Sequence, residues 1–435
     1  APGDVARFNW NTPVSLSPNN PKILWIGGNH LFKSYDQGDS YVQSPDLTRQ
    51  VDRCKVSVMG VAGDKAQLSK NDGLSQYSTI IAVSESSVMP GVVWAGTDDG
   101  MLQVSRDGGV TFTEVGKNLP GLPQGALTSD DPFWISRIDA SHHDAGTAYV
   151  AVDGHRSDDL HPYVFMTTDY GRTFKSISSD LPAYGNVQVI REDPKNPDLL
   201  YVGTEFGLFI SLDRGGHWEK FMNNYPTVRT DDILIHPRDG DMIVGSHGRS
   251  VLIADDITPL QQFTAAVRNE DAHLFDIRDA VAYVTDRTLN EHNGGQRLWT
   301  GENAPRGSAI SYYLKSAASD VKIAITDAQG RTLCSGEAPK TAGINRIQWA
   351  LTAPMLAGQN GFGGGGGGGR AGRGGGGPAN TSCGSEAGGG GFGGGGRGGF
   401  GGGVAPGTYN VTLTVNGKSM SKPVTVLQDL WRSEK

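Results

Sequence analysis

The sequence is short of several things, and each shortage removes a class of function. It has three cysteines in 435 residues and no C-x-x-C pair, which excludes a disulfide-framework miniprotein and argues against a structural zinc site. No apolar run approaches the ~18 residues of a membrane-spanning helix. Lys and Arg number 38 against 46 Asp and Glu, a net charge of −8 with no polybasic stretch, so neither nucleic acid nor an anionic membrane is expected as a partner. A G-x-S-x-G nucleophile elbow is absent, as is a D-x-D-x-D-G calcium loop with its closing Glu. The His142-His143-Asp144 run reads as a solvated turn, and no metal or cofactor is expected. The chain opens at Ala1 without Met or a visible signal peptide, and reads as a processed product or a piece of something longer.

Glycine is the opposite case. Residues 358–403 hold 28 of the 63 glycines, a tract that buries too little apolar surface to offset its ordering entropy and is expected to be a disordered insertion. The remaining glycines belong to a repeat. Four segments share the pattern S/T-x-D-x-G-x-x-aromatic: Ser34–Tyr41, Ser105–Phe112, Thr167–Phe174 and Ser211–Trp218. Each follows an apolar run (Ile23–Gly27, Val92–Gly96, Ala148–Val152, Leu199–Gly203) by a similar interval. A fifth run, Met242–Gly245, leads to a segment where the octet has decayed. In the octet, Asp36, Asp107, Asp169 and Asp213 suit hydrogen bonding to nearby backbone NH groups, Gly supplies a positive φ, and the aromatic packs the hairpin onto its sheet. Sheets of four short strands repeated in this way are propeller blades.

These octets resemble the Asp-boxes, or BNR repeats, of sialidases, sortilin-type receptors and xyloglucan-active glycosidases. The chain is most similar to secreted bacterial proteins described as sortilin N-terminal-like or as BNR-repeat glycosyl hydrolases. Arg7–Pro13, Gly96–Gly100, Ile190–Pro194 and Gly245–Arg249 support the resemblance, which covers roughly residues 7–260. It implies an all-β fold and a secreted, periplasmic or cell-surface setting. About five blades are expected over residues 1–258, with the closure of their ring left open to strands from a missing N-terminal portion or another subunit.

A connector is expected at 259–305, then a β-sandwich at 306–435 similar to the immunoglobulin-like modules of secreted bacterial enzymes, interrupted by the glycine tract. Cys334 and Cys383 are either a disulfide tethering that tract or two unrelated thiols.

In a blade, the turn between the second and third strands opens where the central channel emerges. Those turns carry Asn29 and His30, Asp98 and Asp99, Asp153, His155 and Arg156, Glu205 and Phe206, and His247 and Arg249; connections on the same face add Trp134, Tyr184, Tyr225 and Arg229. Three functions compete for this charged, aromatic rim. It binds a glycan or polypeptide without chemistry; or it hydrolyses a glycosidic bond, Asp98 or Asp99 pairing with Glu205 as acid and base or nucleophile; or the propeller is a structural or assembly platform. A sialidase is disfavoured, since no arginine triad with a Tyr nucleophile is evident.

Overall fold

The computed structural model describes residues 5–52, 61–62, 65, 77–129, 131–283, 305–351 and 403–430. Most of the glycine tract, together with Cys54 and Cys383, lies outside them. The chain divides into two compact units, Ala1–Ala254 and Asp255–Lys435.

The first unit is a series of antiparallel sheets in which neighbours in sequence are neighbours in the ladder. The first sheet is β1 (Val14–Leu16), β2 (Leu24–Gly27), β3 (His30–Ser34) and β4 (Val42–Asp46). The second is β5 (Ile80–Glu85), β6 (Val93–Thr97), β7 (Leu102–Ser105) and β8 (Thr113–Glu114). The third is β9 (Trp134–Ala140), β10 (Ala148–Asp153), β11 (Tyr163–Thr167) and β12 (Lys175–Ser176). The fourth is β13 (Val187–Glu192), β14 (Leu200–Thr204), β15 (Gly207–Ser211) and β16 (Glu219–Lys220). The fifth, where the octet has decayed, has three strands: β17 (Thr230–Ile235), β18 (Met242–Ser246) and β19 (Val251–Ala254). These are the blades of a β-propeller. Residues from all five first strands line one cavity of about 640 Å³, the central channel.

The octets explain the tight third-to-fourth turns. Ser105 Oγ donates to Asp107 Oδ1 and accepts from Gly109 N (2.8 and 2.9 Å), while Asp107 accepts from Thr111 N and Thr111 Oγ1. The same bonds recur at Thr167, Asp169, Gly171 and Thr173. They recur again around Asp36 and Asp213, the latter receiving His217 Nδ1 in place of a hydroxyl. The octet glycine has a second duty beyond its positive φ. A Cβ on Gly171 would lie 2.9 Å from Val115 Cγ2 of the preceding sheet, so the turn seats against its neighbour only without a side chain.

Adjacent sheets meet face to face. Trp25, Ile80, Val93 and Ala95 make the first seam, and Tyr149, Ala151, Ile190 and Val202 part of the third. Hydrogen bonds cross both seams: Trp25 Nε1 donates to Glu85 Oε2 (2.8 Å) and Tyr149 OH to Glu192 Oε1 (3.0 Å). β1 and β2 pack on β5, β5 and β6 on β9, β9 and β10 on β13, and β13 and β14 on β17; among the described residues no comparable packing joins the fifth sheet to the first.

The second unit is a β-sandwich. The stretch expected to be a bare connector contains two short helices, α1 (Thr258–Gln262) and α2 (Ala265–Asn269), and two strands, β20 (Ala272–Leu274) and β21 (Ala280–Ala282). Both strands join the sandwich. β20 pairs with β22 (Ser308–Leu314), which pairs with β25 (Gly343–Trp349). β21 runs parallel to β27 (Lys418–Gln428) in a sheet with β26 (Gly407–Val415), β23 (Val321–Thr326) and β24 (Thr332–Glu337). Three-residue strands carry too little periodicity to be recognised alone. The core between the sheets includes Ile310, Tyr312, Trp349, Ile323, Val411 and Val424. The Asn416-Gly417 turn between β26 and β27 has positive φ at both residues, as a two-residue hairpin loop requires. Cys334 is disulfide-bonded on β24; whether Cys383 is its partner or an unrelated thiol falls on residues outside those described.

Candidate functional site

Antiparallel order puts the second-to-third turns at one end of every sheet and the octets at the other, so the rim exists as a common face. Its members differ greatly in availability. Asp98 and Asp99 are 0 % exposed. Asp98 Oδ1 accepts from Thr79 N (2.8 Å), and its Oδ2 from Thr79 Oγ1 (2.7 Å) and Asn9 Nδ2 (2.8 Å). Asp99 accepts from Arg49 N and Thr97 Oγ1. The pair therefore fastens the entry segment and the first inter-blade connection to the second blade, and neither carboxyl faces a cleft. His30 is likewise buried, its Nδ1 donating to Ser44 O (2.8 Å) within the first blade.

Burial, followed by the neighbouring charge of Asp99, raises the Asp98 carboxyl to about 7 despite the donors around it. The folded state thus keeps a proton that the unfolded chain, with an ordinary value near 3.8, has released. Stability from this group is full below the unfolded value and is lost as pH rises through about 7. We expect Asp98→Asn to flatten the fall in melting temperature between about pH 4 and 7. Parallel thermal melts across that range check it; an unchanged pH slope would contradict the assignment.

The third blade contributes most of what is open. Its second-to-third turn is a long loop. Asp153, buried at its start, accepts from His155 Nδ1 (2.6 Å), His155 N and Asn186 Nδ2. Burial pushes its carboxyl up, but the bonds from His155 and the charges of His155 and Arg156 outweigh that and hold it low. Arg156 lies 3.6 Å over the Trp134 ring, a cation–π pair at the mouth. Beyond it the loop walls a cleft of about 530 Å³, lined among others by Asp131, Phe133, Asp158, Asp159, His161 and Tyr184. Asp159 is fixed by His161 Nδ1 (2.8 Å) and Tyr163 OH (2.9 Å), and the exposed Tyr184 ring stacks on His161 with 26° between planes. Burial raises the Asp131 carboxyl.

In the remaining blades, Glu205 is half-buried and Phe206 exposed in the β14–β15 turn. Arg229 Nε donates to Asp231 Oδ1 (2.6 Å), and His247 Nδ1 lies 3.4 Å from Asp231 Oδ2. Tyr225 OH is bonded to Thr230 Oγ1, and Arg249 is exposed. The structure thus brings together Asp153, His155, Arg156 and Trp134, and separately Arg229 and His247 around Asp231.

Two features escaped the sequence reading. Asp131, Asp159 and His161 complete the cleft, and the nine-residue gap between Asp153 and Tyr163 was the available signal. Arg137 and Arg191 line the channel: Arg191 bonds Asp232 Oδ1 (2.9 Å) and Ile233 O (2.9 Å), and Arg137 bonds Asp231 O (3.1 Å). Among the described residues no group of three or more His, Cys, Asp or Glu is placed to hold a metal, and no helix is long and apolar enough to cross a membrane.

No family model and no curated protein matches the chain. Solved structures do. A GH74 xyloglucanase from Xanthomonas campestris is 17% identical with a TM-score of 0.41, over 61% of this chain and 40% of that one. An ancestral GH74 enzyme is 12% identical with a TM-score of 0.38, over 81% of this chain and 40% of its own. PorZ, an essential surface component of the type-IX secretion system of Porphyromonas gingivalis, is 13% identical with a TM-score of 0.33, over 95% and 51%. This chain spans about half or less of the length of each.

Proposed function

We propose that the protein is a binding propeller that takes a neutral glycan in the rim cleft of its third blade, walled by the connection into β9 and the β10–β11 loop, and does not hydrolyse it. The observation that carries the reading is the cleft itself, in which the exposed face of Tyr184 stands beside the carboxyls of Asp131, Asp158 and Asp159. Sugar rings offer apolar CH faces to an aromatic and hydroxyl donors to carboxylates, and an acidic wall disfavours uronates and sialates. Hydrolysis instead needs two carboxyl groups flanking the bond, one with access to water. Asp98 and Asp99 have neither a free oxygen nor solvent. The disulfide at Cys334 suits an oxidising, extracytoplasmic setting.

Titration calorimetry with neutral gluco- and xylo-oligosaccharides tests this. Tyr184→Ala is expected to weaken binding about tenfold, in line with the loss of one stacked ring. Asp98→Asn and Glu205→Gln should leave affinity unchanged, with no reducing ends released by any form. Turnover abolished by those two changes would overturn the reading in favour of a hydrolase. Binding of basic peptides alone would overturn it in favour of a polypeptide ligand.

A further inference from the structure

The lining of the central channel mixes hydrocarbon and charge. Val14 and Leu16 on β1, Val83 on β5 and Leu234 on β17 are apolar, and all but Val83 are more than half exposed. Arg137 and Asp139 on β9, Arg191 on β13 and Asp232 on β17 are charged. Most of that charge is spent within the protein. Arg191 bonds Asp232 Oδ1 and Ile233 O and lies 3.5 Å from Asp139 Oδ1, while Asp139 Oδ2 accepts from Glu192 N (2.7 Å). Arg137 is different. Its Nη2 makes both of its contacts, donating to Asp231 O (3.1 Å) and lying 3.5 Å from Asp232 Oδ1. Among the described residues its buried Nε and its Nη1 have no acceptor. Burial, followed by the charge of Arg191, lowers the Arg137 guanidinium from its ordinary value, as expected of a cation whose partners do not replace its lost hydration. Asp232 is half idle too. Arg137, Arg191 and Ile233 N all meet its Oδ1, and among the described residues its Oδ2 takes no donor. One ion pair in the channel wall thus carries a spare donor and a spare acceptor.

These groups select among occupants. An anionic head would face four lining carboxylates, Glu85, Asp139, Glu192 and Asp232, against two guanidiniums. An ammonium head can donate to Asp232 but cannot accept from Arg137. A hydroxyl does both, accepting from Nη1 and donating to Oδ2. The apolar lining calls for a hydrocarbon body behind that head. A polypeptide strand is poorly served, because the free edges of the first strands are taken by side chains of the preceding blade. Ala140 N donates to Ser84 Oγ (2.9 Å) and Glu192 N to Asp139 Oδ2, while Val187 O accepts from Ser136 Oγ (3.1 Å) and Ile233 O from Arg191 Nε (2.9 Å).

We propose that the central channel binds an uncharged amphiphile with a hydroxyl head and an aliphatic body, the hydroxyl between Arg137 and Asp232 and the body against Leu16, Val83 and Leu234. The space of about 640 Å³ is within the range of small-molecule sites. Among the described residues none lines both this space and the rim cleft, so the site stands apart from the glycan reading.

Titration calorimetry of the full chain with primary alcohols from hexanol to nonanol reads the outcome. One molecule should bind per chain, about fourfold more tightly for each added carbon. Octanoate and octylammonium, of equal chain length, should bind at least tenfold more weakly than octanol. Leu234→Trp fills the channel from an exposed position and should abolish octanol binding while the melting temperature stays that of the parent. Arg137→Met keeps the aliphatic stem and should weaken octanol about tenfold, with the increment per carbon unchanged. Arg137 belongs to a buried network, so Leu234→Trp decides the question if the methionine variant fails to fold. Absence of saturable alcohol binding overturns the proposal. Tighter binding of octanoate or octylammonium than of octanol, or an octanol affinity indifferent to Leu234→Trp, overturns it equally.

Discussion

Replacing Gly96 with valine should cost about 3 kcal/mol of stability, at the upper end of overpacking in a well-filled core. For a unit of some 250 residues that is a fall in melting temperature of roughly 6–12 °C. The magnitude follows from what surrounds the position. A Cβ there would lie 2.5 Å from Ile135 Cγ2 and 2.8 Å from Ile135 Cβ, and Ile135 has no exposed surface through which to withdraw. The backbone of Gly96 is not in the left-handed region, so the penalty is one of space and not of conformation. Gly96→Ala should lose less than valine but still register, because even the first carbon overlaps. Differential scanning calorimetry measures both, and a valine variant melting within a degree or two of the parent would show the seam to be more yielding than its packing indicates.

Glu192→Ala should be at least as damaging, at about 3–4 kcal/mol, because it strands several buried donors at once. Glu192 lies on β13 and is almost fully buried. Its Oε2 accepts from Ser141 Oγ (2.7 Å) and His142 N (2.7 Å), and its Oε1 from Tyr149 OH (3.0 Å). All three donors belong to the third blade, so one carboxylate of the fourth holds the strand-connecting turn of its neighbour. Glu192→Gln keeps the shape and one acceptor oxygen, and should lose about half as much. Urea denaturation followed by tryptophan fluorescence measures the pair; a shifted midpoint at constant slope is the expected form of the change.

Sequence and structure agree best where interactions are local. The octets were legible because every hydrogen bond that defines them spans four residues or fewer, so the pattern sits within one glance of the chain. The inner strands were legible as apolar runs, most of them closing on a glycine. The rim turns lie at one end of each sheet, yet their chemistry was not legible. Asp98 is occupied by Asn9, 89 residues away, and Asp99 by Arg49, 50 residues away, and no local pattern announces such partners. Burial of an acidic turn residue depends on what the rest of the chain lays over it. Arg137 and Arg191 were hidden for a related reason: each is one of several polar residues interleaved with apolar ones in its strand, and reads as an outward-facing position until the strand is found to line a channel. The decay of the fifth octet was visible, but the loss of an outer strand that accompanies it was not.

The self-contained octet turns bear on how such a molecule comes into being. Their bonds close over a handful of residues, on the microsecond scale of hairpin formation, long before distant segments of the chain have met. Each turn is then a seed that fixes the register of two strands without help from elsewhere. As a ribosome releases the chain from its N-terminus, one seeded sheet after another can be laid on the apolar flank of the last, so that assembly proceeds in the order of synthesis and never requires a search across the whole sequence.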